Sequence, residues 1–162
     1  RDRSPSRGLG DVYKRQGVHT TLDTSANPYI EKEPFYSKWL ELMKYTDLVL
    51  LDIKQIDEEE HIKLTGQSNK SILAMARKLS DMGKPMWIRH VLVPGGSDKD
   101  EYLHRLADFI HTLKTVERVE VLPYHTLGVF KWEQLGIPYP LEGVRPPSEE
   151  RINNAREILG AI

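Results

Sequence analysis

Four short apolar runs recur along the chain at intervals of about 30 to 40 residues, which is the length of a strand–helix–strand unit. The runs are Val18–Leu22, Leu48–Ile53, Met86–Val93 and Val116–Leu122. The second run is apolar without alternation, which is typical of a strand buried on both faces of a parallel sheet. This rhythm predicts an α/β fold built on a parallel sheet.

Helical patterns separate these runs. Phe35–Tyr45 and Ile72–Met82 repeat apolar side chains three or four positions apart, which indicates amphipathic helices. Ser97 and Ser148 are good N-cap residues for two later helices, and the acidic run Asp57–Glu60 suits a solvated first helical turn. The stretch from 124 to 145 has no obvious period and is rich in glycine and proline. It is predicted to be a long loop, and such loops are often functional.

The composition narrows the possible partners and chemistry. Among 162 residues, 39% are hydrophobic and the net charge is −1, which gives no electrostatic attraction to nucleic acid or to an anionic membrane. No apolar run approaches the roughly 20 residues of a membrane span, and we predict a cytoplasmic location. The chain contains no cysteine. Disulfides, thiolate catalysis and cysteine-ligated zinc or iron–sulfur clusters are therefore excluded for this chain.

The first sixteen residues differ from the rest of the chain. Residues 1–16 carry five basic and two acidic side chains and lack clear periodicity. Ser6–Gln16 looks like the translation of a transposon-based sequencing adapter, the alternative being a disordered basic tail. We therefore exclude residues 1–16 from the fold prediction and assign residues 17–162 to one domain.

A charged or titratable side chain stands at or just before the C-terminal end of each predicted strand. In chain order these residues are Asp23, Asp52 with Lys54, Arg89, and His125. Because the carboxyl ends of parallel strands meet at one edge of a sheet or barrel, we expect these side chains to share a ligand site. A lysine ammonium and an arginine fork suit a carboxylate or a ribose.

Structural roles for the same residues are also open. Asp23 and Asp52 can cap loops or form a structural ion-pair network with Lys54 and Arg89. His90 follows Arg89 in its strand and therefore points to the opposite face, which favours a structural role. The remaining histidines have no metal-ligand spacing and are predicted to lie at the surface or at the edge of the core; they are His19, His61, His104 and His111.

Four ordered segments carry a resemblance to a known family. They are LDTS (Leu22–Ser25), TDLVLLDIKQ (Thr46–Gln55), WIRHVLVPG (Trp87–Gly95) and LPYHTLGVFKW (Leu122–Trp132), followed by VRPP (Val144–Pro147). Together they resemble the C-terminal part of pyruvate formate-lyase activating enzymes, which are radical S-adenosylmethionine proteins. The resemblance covers the chain from Gly17 onward.

The resemblance implies a partial parallel (β/α)6 barrel of the radical S-adenosylmethionine type, truncated at its N-terminal side. The full-length parent reductively cleaves S-adenosylmethionine with a [4Fe–4S] cluster and installs a glycyl radical on pyruvate formate-lyase, with a flavodoxin- or ferredoxin-type electron donor. The cysteine triad and the GGE motif of the family are expected before Gly17, and neither is in this chain. The fragment is therefore expected to be inactive alone.

The resemblance also implies roles for individual residues. The residues expected to line the S-adenosylmethionine site are Asp52, Ile53, Lys54, Arg89 and His125, with Lys54 at the methionine end and His125 at the adenosine. The expected ligands of a monovalent cation are Asp23, Thr24, the carbonyl of Leu50, and Asp52. Hard oxygen atoms are the ligands that such a cation needs.

Two other functions remain open from the sequence. One is a barrel lyase or aldolase that uses Lys54 as a Schiff-base nucleophile, although such barrels have eight strands and the sequence offers four. The other is a non-enzymatic module that binds a nucleotide or a protein.

Overall fold

A computed structural model describes residues 12–161, and its sheet has four parallel strands. The strands are β1 (Thr21–Thr24), β2 (Leu48–Asp52), β3 (Met86–Leu92) and β4 (Val116–Pro123), and they lie side by side in that order. Each strand pairs in parallel with the next one along the chain, so every connection crosses from one end of the sheet to the other. The predicted α/β class and parallel sheet are confirmed.

The first strand begins later than predicted, whereas the other three agree within one residue. Val18 is exposed, and β1 starts at Thr21, opposite Leu48. The carboxylate of Asp47 accepts a hydrogen bond from the Thr20 amide at 2.8 Å, so pairing starts after this contact. The predicted start of this strand was wrong.

Helices follow the strands. They are α1 (Phe35–Lys44), α2 (Glu58–Thr65), α3 (Lys70–Asp81), α4 (Asp100–His111), α5 (Val129–Leu135) and α6 (Glu149–Leu159). Asp57 caps α2 and Ser148 caps α6, because each side chain accepts hydrogen bonds from amides of the first turn. No helix in the described part of the chain is long and apolar enough to cross a membrane.

Ser97 does not cap α4, contrary to the prediction. Lys99 occupies the N-cap position, and Ser97 is fully buried. The Ser97 hydroxyl donates to the carbonyl of Val91 and accepts from the amide of Val93 at 2.9 Å. Its side chain therefore closes the turn that follows β3 instead of starting the next helix.

The two faces of the sheet have different surroundings. Along β3 the buried side chains are Met86, Ile88, His90 and Leu92, and the partly exposed ones are Trp87, Arg89 and Val91. The buried face belongs to a core that includes apolar side chains of α1, α3, α4 and α6. The opposite face carries charged side chains. Helices packed on one face of a parallel sheet form the wall of a β/α barrel.

The stretch predicted as a loop contains a short helix. α5 occupies Val129–Leu135 and ends at Gly136, whose positive φ of 64° suits glycine. None of its residues is buried. An apolar stripe arises when a helix packs one face into a core, and α5 has no such stripe, so periodicity did not indicate it.

The predicted tail lies mostly outside the described residues. Residues 12–15 are helical, and the ammonium of Lys14 forms an ion pair with the carboxylate of Asp47. The adapter origin of residues 1–16 and the assignment of residues 17–162 to one domain stay predictions.

Candidate functional site

Arg89 joins two carboxylates at the C-terminal edge of the sheet. It lies opposite Asp52 in the register of β2 and β3, and its Nε donates to Asp52 Oδ1 at 2.8 Å. Its Nη2 forms an ion pair with the carboxylate of Asp23 on β1. Burial lowers the pKa of Arg89, but the neighbouring Asp52 and Asp23 carboxylates outweigh burial and raise this pKa above its ordinary value. Arg89 is therefore a permanent cation between two anions.

Lys54 extends the cluster from the other oxygen of Asp52. Its Nζ lies 3.1 Å from Asp52 Oδ2, so each carboxylate oxygen of Asp52 contacts a different cation. Both side chains are partly buried, which strengthens the interaction relative to a pair in open solvent. The structure thus brings together Asp23, Asp52, Lys54 and Arg89, four of the predicted site residues. What they bind stays a prediction.

Three other predicted residues lie at the same edge with different exposure. Ile53 is fully buried in the core. Its amide donates to the carbonyl of Arg89 at 2.9 Å and its carbonyl lies 2.8 Å from His90 Nδ1, so its predicted contact with a cofactor stays a prediction. Thr24 ends β1, and its hydroxyl accepts a hydrogen bond from the Ala26 amide at 2.9 Å. Leu50 lies opposite Asp23 in the sheet register. Thr24 and Leu50 therefore lie on neighbouring strands, and the monovalent-cation site stays a prediction.

His125 follows β4 at the same end of the sheet but is not part of the cluster. Its side chain is exposed, and no described residue hydrogen-bonds to it. Its predicted contact with an adenosine stays a prediction, because the structure shows only that the residue stands at the correct end of its strand.

A cavity of about 240 Å³ opens beside this cluster. It is lined by Ser25, Asn27, Asp52, Lys54, His61, Thr65, Gln67 and Ile72. His61 is only 2% exposed, and its Nδ1 lies 2.7 Å from the carbonyl of Gln67, so in the neutral ring this nitrogen carries the proton and Nε2 is an acceptor. Nε2 has no hydrogen-bond partner among the described residues. This nitrogen is buried, so the structure leaves its hydrogen-bonding capacity unused.

A buried amide fixes the segment that follows Lys54. Asn69, at the start of α3, donates from Nδ2 to the carbonyls of Gln55 at 3.1 Å and Ile56 at 2.8 Å. The fully buried Gln55 side chain in turn donates to the carbonyl of Gly96 at 3.0 Å. Hydrogen-bonded buried polar groups of this kind hold the backbone in one conformation. Sequence analysis missed both residues, because their partners lie in other parts of the chain.

His90 is buried on the helix-covered face, as its position next to Arg89 predicted. Its Nδ1 donates to the carbonyl of Ile53 at 2.8 Å, and its Nε2 lies 3.1 Å from the carbonyl of Ser97. A neutral imidazole has one N–H, and the shorter contact is the better place for it. His90 therefore ties the residue that precedes Lys54 to the turn after β3.

Acidification below about pH 6.5 is expected to destabilise the chain through His90. Burial lowers the pKa of His90 and outweighs the two carbonyl contacts that raise it. The unfolded chain then binds the proton more tightly than the folded chain. The contribution of neutral His90 to the free energy of unfolding is therefore fully present above the unfolded pKa. As the pH falls below that value, the free energy of unfolding decreases by at most about 1.4 kcal/mol per pH unit until the folded pKa is reached.

The measurement is urea unfolding at several pH values between about 7.5 and 5. His90→Gln removes the titrating group, so its stability should depend less on pH across this range. The exposed His111 provides the matched control, His111→Gln. An unchanged pH dependence in His90→Gln would contradict the assignment.

Comparison with known proteins finds relatives of this chain. No protein-family model matches the chain. The chain is 57% identical to the pyruvate formate-lyase-activating enzyme of Streptococcus mutans over 151 aligned residues, and this alignment covers 93% of the chain. It is also 57% identical to the pyruvate formate-lyase-activating enzyme of Staphylococcus epidermidis over 142 aligned residues, and this alignment covers 88% of the chain. This chain is a homologue of pyruvate formate-lyase-activating enzymes. It spans about 57% of the length of these two relatives.

Solved structures confirm the radical S-adenosylmethionine type of fold. A domain of the pyruvate-formate lyase-activating enzyme from Bacteroides vulgatus gives a TM-score of 0.73 at 24% identity, over 95% of this chain and 83% of that one. A radical SAM methyltransferase from Sphaerobacter thermophilus gives a TM-score of 0.60 at 21% identity, over 90% of this chain and 39% of that one. The resemblance between the activating enzymes and this chain therefore extends from sequence to fold.

Proposed function

We propose that this chain supplies the S-adenosylmethionine-binding rim of an enzyme that installs a glycyl radical on pyruvate formate-lyase. The observation that carries the proposal is the cluster of Lys54, Asp52 and Arg89 beside a polar cavity, in a homologue of enzymes with that name. The relatives that match this chain are longer than the chain. The cluster is therefore the feature that supports a role of this chain in binding the cofactor.

The residues present fit S-adenosylmethionine. The cofactor carries a carboxylate, an ammonium and ribose hydroxyls. Lys54 donates to the carboxylate of the methionine end, Arg89 adds positive charge, and Asp52 accepts from hydroxyl or ammonium groups. In this proposal the exposed His125 packs against the adenosine.

A monovalent cation belongs to the same proposal. Asp23 and Asp52 lie on neighbouring strands and share Arg89 as their counter-ion. With the Thr24 hydroxyl and the Leu50 carbonyl they offer the hard oxygen ligands that sodium or potassium needs. A bound cation would replace part of the charge that Arg89 now supplies.

The iron–sulfur cluster does not fit this chain. The chain has no cysteine, and a [4Fe–4S] cluster needs thiolate ligands. In the proposed parent enzyme a cluster held by cysteines outside this chain would supply one-electron reducing power, with a flavodoxin- or ferredoxin-type protein as the proposed electron donor. We therefore propose that this chain binds and orients the cofactor and that it does not generate the radical by itself.

The decisive experiment is a chimera that joins this chain to the part of the Streptococcus mutans enzyme outside the match. After cluster reconstitution, the chimera should produce a glycyl radical on pyruvate formate-lyase, detected by electron paramagnetic resonance. The 162-residue chain without the added part serves as the negative control. A folded chimera with an intact cluster and no glycyl radical would refute the proposal.

Lys54→Ala in that chimera is expected to weaken S-adenosylmethionine binding by about 1–3 kcal/mol, because a charge-assisted hydrogen bond to the cofactor is lost. This corresponds to a roughly 5- to 150-fold rise in Kd, measured by calorimetry. The exposed Lys114 provides a matched control, and Lys114→Ala should leave Kd unchanged. Equal affinities of the two variants would show that Lys54 does not contact the cofactor.

The aldolase alternative gains no support from the site. A Schiff-base lysine attacks as a free amine, whereas Lys54 forms an ion pair with Asp52. The described residues form four strands and not the eight of a closed barrel. Trapping of a carbonyl substrate on Lys54 with borohydride would reverse this judgement. A non-enzymatic nucleotide-binding module would instead bind nucleotides without iron and without dependence on the cluster.

A further inference from the structure

A second cavity, of about 530 Å³, lies in the segment that follows β4 and shares no lining residue with the cavity beside Lys54. Aromatic rings form one wall. The rings of Trp132 and Tyr139 are 5.6 Å apart between centroids and tilted by 59°. The hydroxyls of Tyr124 and Tyr139 hydrogen-bond at 2.8 Å, which fixes both rings. The cavity therefore presents aromatic rings held in a defined arrangement.

The charge of this cavity is negative. Glu133 and Glu142 line it, and both are exposed. None of the described residues that line it is basic. The hydrogen bond with Tyr124 and burial raise the pKa of Tyr139 to about 12, so this phenol is neutral near pH 7. Two carboxylates beside aromatic rings attract a cation both by charge and through the ring faces.

Exposed apolar side chains surround the same segment. They are Leu127, Phe130, Leu135 and Ile137, with exposures of 76%, 50%, 71% and 49%. No residue of α5 is buried. Exposed apolar patches on a protein surface often mark sites of contact with another protein. The aromatic and acidic cavity is therefore flanked by a surface suited to a protein partner.

We propose that α5 and this cavity form a docking surface for a protein segment that inserts an arginine side chain between the aromatic rings and the two carboxylates. A guanidinium is planar, stacks on aromatic rings and pairs with carboxylates through its fork of donors. Arginine inserted into an aromatic pocket with apolar contacts around it is a common centre of protein interfaces. This inference is independent of the proposed cofactor site.

Two probes test the cavity on the full 162-residue chain. N-acetyl-arginine amide carries the cation, and N-acetyl-citrulline amide is its neutral counterpart of nearly the same shape. By NMR, the arginine probe should shift the Trp132 indole signal in a saturable manner and bind about tenfold more tightly than citrulline. Equal binding of the two probes, or no saturable shift with arginine, would overturn the cation site.

Charge variants locate the binding. Glu133→Gln and Glu142→Gln should each weaken the arginine probe about threefold. Glu150→Gln, an exposed acid on α6 that does not line the cavity, should leave its affinity unchanged. Equal effects of the three variants would show that general surface charge, and not this cavity, attracts the probe.

A peptide tests whether the occupant is a protein segment. A blocked peptide with the sequence Leu-Ala-Arg-Ala-Leu should bind about tenfold more tightly than N-acetyl-arginine amide, because it also covers exposed apolar surface. Leu135→Ser should abolish this gain while the affinity for the arginine probe is unchanged. A peptide that binds no more tightly than the single residue would refute a protein partner and leave the cavity as a site for small cations.

Discussion

Replacing Ile88 with alanine is expected to lower the free energy of unfolding by about 2–5 kcal/mol, the range for deletion of a large buried aliphatic side chain. Ile88 is completely buried. It lies at the middle of β3, opposite Leu51 of β2 and Val119 of β4. The substitution removes apolar contacts and leaves a cavity under the helices. Urea unfolding followed by circular dichroism measures the change.

Ile62→Ala provides the matched control. Ile62 belongs to α2 and is 45% exposed, so the same deletion should change stability by no more than about 0.5 kcal/mol. Similar losses in both variants would show that the covered face of β3 is not the centre of the core. The placement of Arg89 on the opposite face would then lose its basis.

The bounds of a strand were predictable from the sequence where buried apolar side chains determine them. The apolar runs of β2, β3 and β4 gave their bounds within one residue. At β1, hydrogen bonds at Thr20, and not the apolar run from Val18, decide where the strand starts. α5 buries nothing, and without a buried face a helix leaves no period in the sequence.

The site was predictable where it depends on strand geometry. Asp52 ends β2 and Arg89 lies opposite it in the middle of β3, so the two side chains meet because the strands are parallel and side chains alternate between the faces of the sheet. His61 and Asn69 reach the same region from helices, and their positions depend on how α2 and α3 pack. No spacing in the sequence indicates that packing: Asn69 occupies the N-cap position of α3, but its side chain makes no capping hydrogen bond.

Asn69→Leu is expected to lower the free energy of unfolding by about 2–5 kcal/mol, since loss of a partner leaves a buried polar group unsatisfied at about 1–3 kcal/mol each. The amide of Asn69 is the donor to the carbonyls of both Gln55 and Ile56. Asn69→Asp keeps the size but removes the N–H donors, and it should be destabilised as well. Asn153→Leu, at an exposed position of α6, should have little effect on urea unfolding.

The same substitution tests whether the buried network positions the cofactor site. Lys54 immediately precedes the backbone that Asn69 holds, and Asn69 does not line the cavity beside Lys54. In the chimera, under conditions where the protein stays folded, Asn69→Leu should therefore raise the Kd for S-adenosylmethionine about tenfold, because Lys54 is no longer held in place. Combined with Lys54→Ala, it should add little, since both act through one side chain. Full additivity would show that Asn69 stabilises the fold without positioning Lys54.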